Sequence, residues 1–529
     1  MAGEATRIAS AGPPTAGRPS LPDVVTVAGS LDTSPLLTSG DVAAIALPIA
    51  PPADGETEVQ PRGATTAVAI RYGLDLADLA ERAGLKGTAG ESHPVHLPRS
   101  LAGRGPALPW DGLPERIILL GIGSGSPTDL RRAGAALARA GRGLERVVTT
   151  AGSDGTAEGF RAFVEGYLLA SYRRPSLATR EPDPAPAEQL VVLGRQTDED
   201  LIAARVTSRA AWLVRDLANT PSNIKNPAWL ADRAAALGRA AGLDVEVWDL
   251  ARLRAERFGG ILAVGSGSAS EPRLVTVSYR PASSGGQHVV VVGKGITYDT
   301  GGLSIKARDA MIPMKTDMTG AAVALAVVLG AAEAGLPHAV TAVLPLAENA
   351  FGASSYRPSD VLRLHDGTTV EITNTDAEGR VVLADALSYA QSALAPDVLI
   401  DVATLTGAAT LGLGKQYGAL YATDEDLASQ LLAAGDLSGE QLWRMPLVAE
   451  YAASLTSSIA DVRHVSNDDR VGGGSIIAAL FLNSFVTTPR WAHLDIAGPG
   501  RAGSDSHEVT EGGTGFGARV LLRWLENLA

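Results

Sequence analysis

The segment from residue 289 to 322 carries four charged side chains that could take part in chemistry. Its sequence, VVVVGKGITYDTGGLSIKARDAMIPMKTDMTGAA, runs from an apolar strand into a glycine-rich loop that holds Lys294, Asp299, Lys306 and Asp317. Each charge alone is compatible with a solvated loop. The four together, directly after a buried strand, predict a functional site, because such groups collect at the carboxyl ends of strands.

A second segment, residues 368–387, repeats this arrangement. TTVEITNTDAEGRVVLADAL predicts a strand, then the loop NTDAEGR, then a helix that begins near Gly379. Asp376 and Glu378 are two residues apart, so in extended chain they point to the same side and can converge on one ion. Arg380 lies at the helix start, where free N–H groups favour an anion. A helix N-cap is the structural alternative for either carboxylate, but one terminus does not need two caps.

Four carboxylates without cysteine or an ordered histidine pair suit divalent cations such as Mn²⁺, Mg²⁺ or Zn²⁺. Two ions fit this set better than one. A pair held about 3.5–4 Å apart by bridging carboxylates can share a hydroxide, lower its pKa and polarise a substrate oxygen, which hydrolysis at neutral pH requires. Lys294 can join the ligands as a neutral amine if the ions lower its pKa.

Lysine is rare in this chain and unevenly placed. The 45 basic residues comprise 6 lysines and 39 arginines, and 3 of these lysines lie between residues 294 and 315. Chance clustering is one interpretation. The other is a site that needs a compact amine able to lose its proton, which a guanidinium cannot do.

The bulk composition is that of a globular protein large enough for two domains. The chain has 529 residues, no cysteine and a net charge of −13. The absence of cysteine excludes disulfides and thiolate chemistry. The acidic excess makes a general attraction to nucleic acid or anionic lipid unfavourable, although a local basic patch stays open. The N-terminal residues lack the apolar core of a secretory signal, and no run of eighteen uncharged apolar residues indicates a membrane span, so we expect a cytoplasmic protein.

The order of apolar runs predicts an α/β protein. We expect a disordered tail at 1–20, a smaller N-terminal α/β domain at 21–195, and a larger C-terminal catalytic domain at 196–529 whose mostly parallel central sheet is flanked by helices. The proline-rich stretch 173–189 is interpreted as a loop or linker beside the boundary. Predicted strands of the second domain are 288–293, 339–346, 396–405 and 491–498. Predicted helices are 198–219, 319–335, 380–394 and 475–486.

Other motifs carry little weight. GIGSGSPT (121–128) has Ser126 where a dinucleotide loop needs its third glycine, and TLGLGKQ (410–416) lacks most of a phosphate loop. The eight histidines form no HExxH, and no GxSxG occurs. We therefore expect the histidines to be structural or exposed.

The stretches VGKGITYDTGGLSIK, MKTDM and NTDAEGRVVLADAL resemble the leucyl aminopeptidase family of dinuclear metallopeptidases, and NTDAEGR is highly specific. The resemblance spans about Asn219 to Ala529, with DVATLTGA (401–408), SSIADVRHV (457–465) and WAHLDIAG (491–498). No matching motif precedes about residue 190.

The resemblance implies a function for each candidate residue. One exchangeable ion would be held by Lys294, Asp299, Asp317 and Glu378, and a tighter one by Asp299, Asp376 and Glu378. The ions would be Mn²⁺ or Zn²⁺. Lys306 would stabilise the oxyanion, and Arg380 would hold a bicarbonate that acts as general base. Met314, Thr404 and Leu405 match positions near the first side-chain pocket.

The family resemblance also implies peptide substrates cleaved after their N-terminal residue, leucine and similar ones, and a homohexamer built from two trimers. Two other interpretations stay open. One is a binding or regulatory module that contacts DNA through its N-terminal region, which the acidity disfavours. The other keeps both metals and replaces the peptide with a phosphate ester.

Overall fold

The computed structural model describes residues 20–99, 107–153, 155–179, 183–195, 198–282 and 285–528. The predicted disordered tail at 1–20 therefore lies outside the described residues, apart from Ser20. The chain divides into two compact units, of which one comprises residues 20–209 with 504–510 and the other 210–503 with 511–529. This division falls inside the helix Asp198–Asn219, whereas the sequence places the boundary before that helix, at 195/196.

The N-terminal unit is built on a sheet that has seven strands among the described residues, in the order β1-β7-β6-β2-β5-β4 with β3 on β2. The strands are β1 (Asp23–Val27), β2 (Ala44–Ala50), β3 (Gln60–Pro61), β4 (Ser92–His96), β5 (Arg116–Gly121), β6 (Arg146–Thr149) and β7 (Gln189–Leu193). Its helices are α1 (Thr65–Tyr72), α2 (Leu76–Arg82), α3 (Pro127–Ala140) and α4 (Ala157–Ala170). Only β3 and β4 run antiparallel to their neighbours in the described part of this sheet.

Short-range sequence signals explain where the helix α3 begins. Ser126 caps α3 through its hydroxyl, and Pro127 at the first helical position has the φ that a helix needs. The proline-rich stretch 173–189, interpreted as a loop or linker beside the boundary, is followed by β7, which joins the N-terminal sheet. This stretch therefore lies within the N-terminal unit.

The C-terminal unit is a second α/β layer structure, which begins within α5 (Asp198–Asn219). Its strands are β8 (Asp244–Trp248), β9 (Arg273–Tyr279), β10 (His288–Gly293), β11 (Gly295–Asp299), β12 (Ala339–Asn349), β13 (Val361–Arg363), β14 (Thr369–Glu371), β15 (Val398–Ala403), β16 (Gly418–Ala422), β17 (Leu442–Arg444), β18 (Val462–Arg463), β19 (Trp491–Asp495), β20 (Arg501–Ala502) and β21 (Gly512–Gly513). Its helices are α6 (Pro227–Ala240), α7 (Leu250–Ala255), α8 (Gly259–Gly265), α9 (Arg308–Met311), α10 (Thr319–Glu333), α11 (Glu378–Tyr389), α12 (Gly407–Leu413), α13 (Glu425–Ser438), α14 (Gly474–Asn483) and α15 (Ala518–Glu526).

The main C-terminal sheet has the order β17-β16-β19-β15-β10-β12-β9-β8, with β11 beside β12. Its centre, β19-β15-β10-β12, is parallel, and antiparallel pairs occur toward both edges. The valines of β10 are buried on both faces, as expected for a strand covered by helices on each side. The predicted α/β fold class is confirmed.

The helix α10 packs at the centre of this unit. Its apolar residues cover the whole circumference, and nearly all are buried, which is typical of a core helix. One described stretch, Arg308–Glu333, is long and apolar enough to cross a membrane, but 78% of its apolar window is buried inside the protein.

Candidate active site

The two charged loops meet at the carboxyl end of the central sheet. Lys294 follows β10, Asp299 ends β11 and Thr404 follows β15, while Asp376 and Glu378 come just after the β14 segment. Parallel strands bring their carboxyl ends to one edge, which explains the convergence. All five predicted metal ligands, Lys306 and the three predicted pocket residues line one cavity of about 190 Å³, which we call the central cavity.

Backbone and hydroxyl groups tie the two loops together. The hydroxyl of Thr375 donates to the carbonyl of Gly301 at 2.7 Å and accepts from the N–H of Ser304 at 2.8 Å. The Ser304 hydroxyl accepts in turn from the N–H of Thr375 at 3.1 Å. Gly301 has a positive φ of 84°, which favours glycine and allows this close approach.

Three carboxylates form the tightest cluster in the cavity. One oxygen each of Asp299, Asp376 and Glu378 lies within 4.8 Å of the others. Lys306 contacts two of them, with its Nζ at 2.8 Å from Asp299 Oδ2 and 2.6 Å from Asp376 Oδ1. The cluster brings together the two segments that the sequence singled out.

Lys294 links this cluster to Asp317. Its buried Nζ lies 2.9 Å from Glu378 Oε1 and 2.8 Å from Asp317 Oδ2, and it donates to the carbonyl of Thr404 at 3.1 Å. The other oxygen of Asp317 accepts from the Thr404 hydroxyl at 2.7 Å. Asp317 is thus a fourth carboxylate, next to the cluster and joined to it by one amine.

Asn349, at the end of β12, orients Asp299. Its side-chain N–H donates to Asp299 Oδ1 at 2.8 Å and to the carbonyl of Thr375 at 3.0 Å. The N–H of Gly301 donates to the same carboxylate oxygen at 2.9 Å. Such outer contacts fix the direction in which a ligating carboxylate points. The sequence offered no signal for Asn349, since only the pairing of β11 with β12 brings it here.

Burial and neighbouring charges shift the pKa values of the ionisable groups in the cavity. Burial raises the pKa of Glu378 to about 8 and that of Asp317 to about 6, and it raises the pKa of Asp376 as well. Burial by itself lowers the pKa of Lys294 and Lys306, but the surrounding carboxylates more than offset it, so both pKa values are raised. Two ammonium groups therefore only partly compensate four carboxylates, and the site favours further positive charge.

The donor set fits divalent cations. Glu378 Oε2 is buried and has no hydrogen-bond partner among the described residues, although its other oxygen pairs with Lys294. A buried carboxylate oxygen without a donor is costly unless a cation binds it. Clustered carboxylates with an amine are ligands for hard or borderline ions.

Arg380 lies apart from the other predicted residues. It is the third residue of α11 and is buried, but it is not among the described residues that line the central cavity. Its Nη1 donates to the carbonyl of His464 at 2.6 Å, whereas its Nε has no hydrogen-bond partner in the described part of the chain. Burial lowers the pKa of Arg380 to about 10, against the opposing charges of Glu378 and Asp495. The guanidinium therefore keeps one N–H group, at Nε, that could donate a hydrogen bond to an anion.

The convergence of Asp376 and Glu378 has a different local cause from the one expected. Their spacing predicted that both lie in extended chain, but Glu378 is the first residue of α11 and Asp376 lies in the turn before it. The two carboxylates meet because a turn, rather than an extended strand, precedes the helix. The predicted helix start near Gly379 is confirmed to within one residue.

Several side chains around the cavity were not predicted from the sequence. Lys225, fully buried, donates to the carbonyls of Leu217 at 2.7 Å, Ala218 at 3.3 Å and Lys315 at 2.6 Å. This contact holds the turn that precedes Asp317. The rarity of lysine was an available signal for Lys225, whereas nothing in the sequence indicated Arg501, which also lines the cavity.

The buried histidines of this unit are structural, as expected. His464 contacts the carbonyl of Asn374 at 2.8 Å and that of Glu371 at 3.2 Å through its two ring nitrogens. His493 pairs with Asp401 at 2.5 Å. Neither is among the described residues that line the cavity.

Comparison with known proteins identifies one family over most of the chain. Residues 212–522 match the family model described as "Cytosol aminopeptidase family, catalytic domain", and residues 56–180 match the corresponding N-terminal domain. The second match extends the likeness into the region where no sequence motif had been found.

Individual proteins give the same result. A probable cytosol aminopeptidase from Leifsonia xyli subsp. xyli (strain CTCB07) is 42% identical over 469 residues, which are 85% of this chain and 90% of that protein. Another, from Nocardia farcinica (strain IFM 10152), is 40% identical over 467 residues, 86% and 89% of the two chains. The solved structure of the bottromycin maturation enzyme BotP in complex with Mn is 35% identical, with a TM-score of 0.79 over 93% of this chain and 100% of its own. The chain belongs to the cytosol aminopeptidase family, the leucyl aminopeptidase type of metal-dependent exopeptidases.

Proposed function

We propose that this protein removes N-terminal leucine and similar residues from peptides, using two divalent ions per subunit, Mn²⁺ or Zn²⁺. One observation carries the proposal. Four carboxylates and two amines from two remote segments converge in a single cavity, where Glu378 Oε2 has no hydrogen-bond partner among the described residues. The Mn in the BotP complex supports a divalent ion in this family.

The geometry suggests how the ligands divide. Asp299, Asp376 and Glu378 form the tight cluster and would hold one ion. Lys294 and Asp317 would hold the second together with Asp299 and Glu378, which are then shared. When bound, such a pair of ions activates a water and polarises the scissile carbonyl. Because Lys294 is protonated in its ion pairs, its ligation requires loss of that proton.

Lys306 and Arg380 would assist from two sides. The Lys306 ammonium lies at the cavity wall within reach of the carboxylate cluster, where it would stabilise negative charge developing on the substrate oxygen. Arg380 would hold a bicarbonate through its unused Nε, and this anion would accept a proton as general base. The free α-amine of the substrate would bind one of the two ions, which would restrict cleavage to the first residue.

The remaining wall suits an aliphatic side chain. Met314 and Leu405, with Ala310 and Ala497, give the central cavity an apolar surface, and Thr404 lies beside them. Apolar side chains gain about 25 cal/mol for each Å² removed from water, which favours leucine over smaller residues.

The test is release of leucine from leucyl amide and leucyl peptides after full loading with Mn²⁺ or Zn²⁺. We expect Asp376→Asn and Lys306→Ala each to lower kcat at least about 100-fold, the usual scale for a lost charge-stabilising group. The exposed residues Asp54 and Lys86 provide matched controls, and Asp54→Asn and Lys86→Ala should leave turnover unchanged. Unaltered turnover in both cavity variants, or turnover of phosphate monoesters with none of peptides, would refute the proposal.

We also propose a cytoplasmic homohexamer of two trimers. The location is supported by the name that the relatives carry. The assembly is supported by large apolar side chains exposed on the catalytic unit, among them Leu411 and Trp443. Sedimentation velocity tests the assembly, and a monomer at micromolar concentration would refute it.

A further inference from the structure

Arg501 is a lining residue of the central cavity that the proposed mechanism does not use. It is the first residue of β20, and its pairing with Gly513 of β21 fixes its backbone. Its side chain is half-buried and makes no hydrogen bond or ion pair within the residues that the structure describes. A guanidinium that stays charged in such a place needs an acceptor.

The nearby protein carboxylate is already engaged. The charge of Asp317 acts on Arg501 and partly opposes the lowering of the pKa of Arg501 by burial, so the two groups are electrostatic neighbours. However, Asp317 Oδ1 accepts from Thr404 and Oδ2 pairs with Lys294. Lys306 is likewise paired, with Asp299 and Asp376. Among the described lining residues, Arg501 is therefore the cation that lacks an anionic contact.

The residue before Arg501 carries no side chain for a steric reason. A Cβ on Gly500 would lie 2.7 Å from the carbonyl oxygen of Ile496 and 3.4 Å from Thr404 Cγ2. Position 500 therefore excludes a side chain unless the backbone moves. Arg501 is therefore the residue next to Gly500 that supplies a polar side chain to this part of the cavity lining.

We propose that Arg501 binds a carboxylate of the substrate, either that of an N-terminal glutamate or aspartate side chain or that of the C-terminus of a dipeptide. This inference rests on the proposed peptidase function and specifies its substrate class. The four protein carboxylates repel either one until divalent cations reverse the balance of charge, so the effect belongs to the metal-loaded protein.

The first measurement is kcat/KM on glutamyl, glutaminyl and leucyl anilides with Mn²⁺-loaded protein. Glutamine has the shape of glutamate without its charge, so the glutamyl-to-glutaminyl ratio isolates the carboxylate. We expect Arg501→Gln to lower this ratio about tenfold or more, since a charge-assisted hydrogen bond is lost, and to lower glutamyl turnover more than leucyl turnover. Arg254→Gln, at an exposed arginine of the same unit, is the control and should change neither.

The second measurement separates the two sources of the carboxylate. If the dipeptide C-terminus is bound, Arg501→Gln lowers the preference for a free leucyl dipeptide over its C-terminal amide and leaves the anilide ratio unchanged. Calorimetry of glutamate and glutamine with the Mn²⁺-loaded protein gives a readout that does not depend on turnover. Under the side-chain form of the proposal, glutamate binds more tightly than glutamine, and Arg501→Gln abolishes the difference.

The proposal is overturned if the anilide ratio and the dipeptide preference are both unchanged in Arg501→Gln. If no peptide or anilide is cleaved, the proposed function itself fails. In that case equal binding of glutamate and glutamine overturns the role of Arg501 as well, whereas tighter binding of glutamate lost in Arg501→Gln still supports a carboxylate site.

Discussion

Replacing Thr404 by valine isolates a single contact to one proposed metal ligand. The Thr404 hydroxyl donates to Asp317 Oδ1 at 2.7 Å, while the Thr404 carbonyl accepts from Lys294 at 3.1 Å. Valine has nearly the same shape and the same branching at Cβ, so the backbone and its carbonyl stay in place. The change therefore removes the hydroxyl contact and keeps the rest of the wall.

The expected loss follows from the kind of bond. A hydrogen bond to a charged group contributes about 1.5–3 kcal/mol, and about 1.4 kcal/mol corresponds to a tenfold change in affinity. Removal of an outer contact to a metal ligand generally costs about 10–100-fold in metal affinity. On both grounds, we expect Thr404→Val to weaken Mn²⁺ binding by about 10–100-fold. Because Asp317 belongs to only one of the two proposed ion sites, only one binding step should weaken.

The assay is calorimetric titration of metal-free protein with Mn²⁺, analysed as two steps. Thr406→Val is the matched control, because Thr406 also lines the central cavity, but its hydroxyl donates to Asp495 at 2.6 Å and caps α12 and contacts no proposed ligand among the described residues. That variant should lose at least about 2 kcal/mol of folding stability, because it removes both the helix cap and a hydrogen bond to a buried carboxylate, and it should lose no metal affinity. Two unchanged binding steps in Thr404→Val would refute the assignment of Asp317.

Further substitutions separate stability from function. A Cβ on Gly379 would lie 2.5 Å from Lys294 Cε and 2.7 Å from its Nζ, so Gly379→Ala should displace the amine and lower Mn²⁺ affinity and turnover at least about tenfold. Gly412 lies in α12, and a Cβ added there would meet nothing within 4 Å. Gly412→Ala should therefore raise the free energy of unfolding, measured with urea, by up to about 1 kcal/mol and keep full turnover. Full activity of Gly379→Ala would contradict a ligand role for Lys294. Lys225→Met removes an amino group that donates to three buried carbonyls and should lower the free energy of unfolding by at least about 2 kcal/mol, whereas an unchanged urea midpoint would show that the carbonyls find other donors.

Much of the architecture follows from local patterns. The runs that became β10 and β19, and the helices α5, α10 and α14, lie within a few residues of their predicted bounds. These elements are buried on all sides or carry regular apolar spacing, so composition and period suffice to identify them. The positions of the charged loops directly after strands could be predicted for the same reason.

The contacts between loops could not be predicted from period and spacing. The Thr375 hydroxyl binds the Gly301 carbonyl 74 positions away in the sequence, and that contact depends on the folded path of both loops. Asn349 reaches Asp299 because β12 lies beside β11. Strand order and register arise from packing of the whole sheet, which no short segment encodes.

Residue types and their order were enough to identify an α/β chain, the two loops that carry carboxylates and amines, and the family to which NTDAEGR points. Which of these groups meet became known from the folded chain alone. Folding placed Lys294 between Glu378 and Asp317, set Arg380 off the cavity wall, and brought Arg501 onto it. Residue type and local period govern secondary structure, whereas the distance between two charges depends on the long-range packing that positions each strand end.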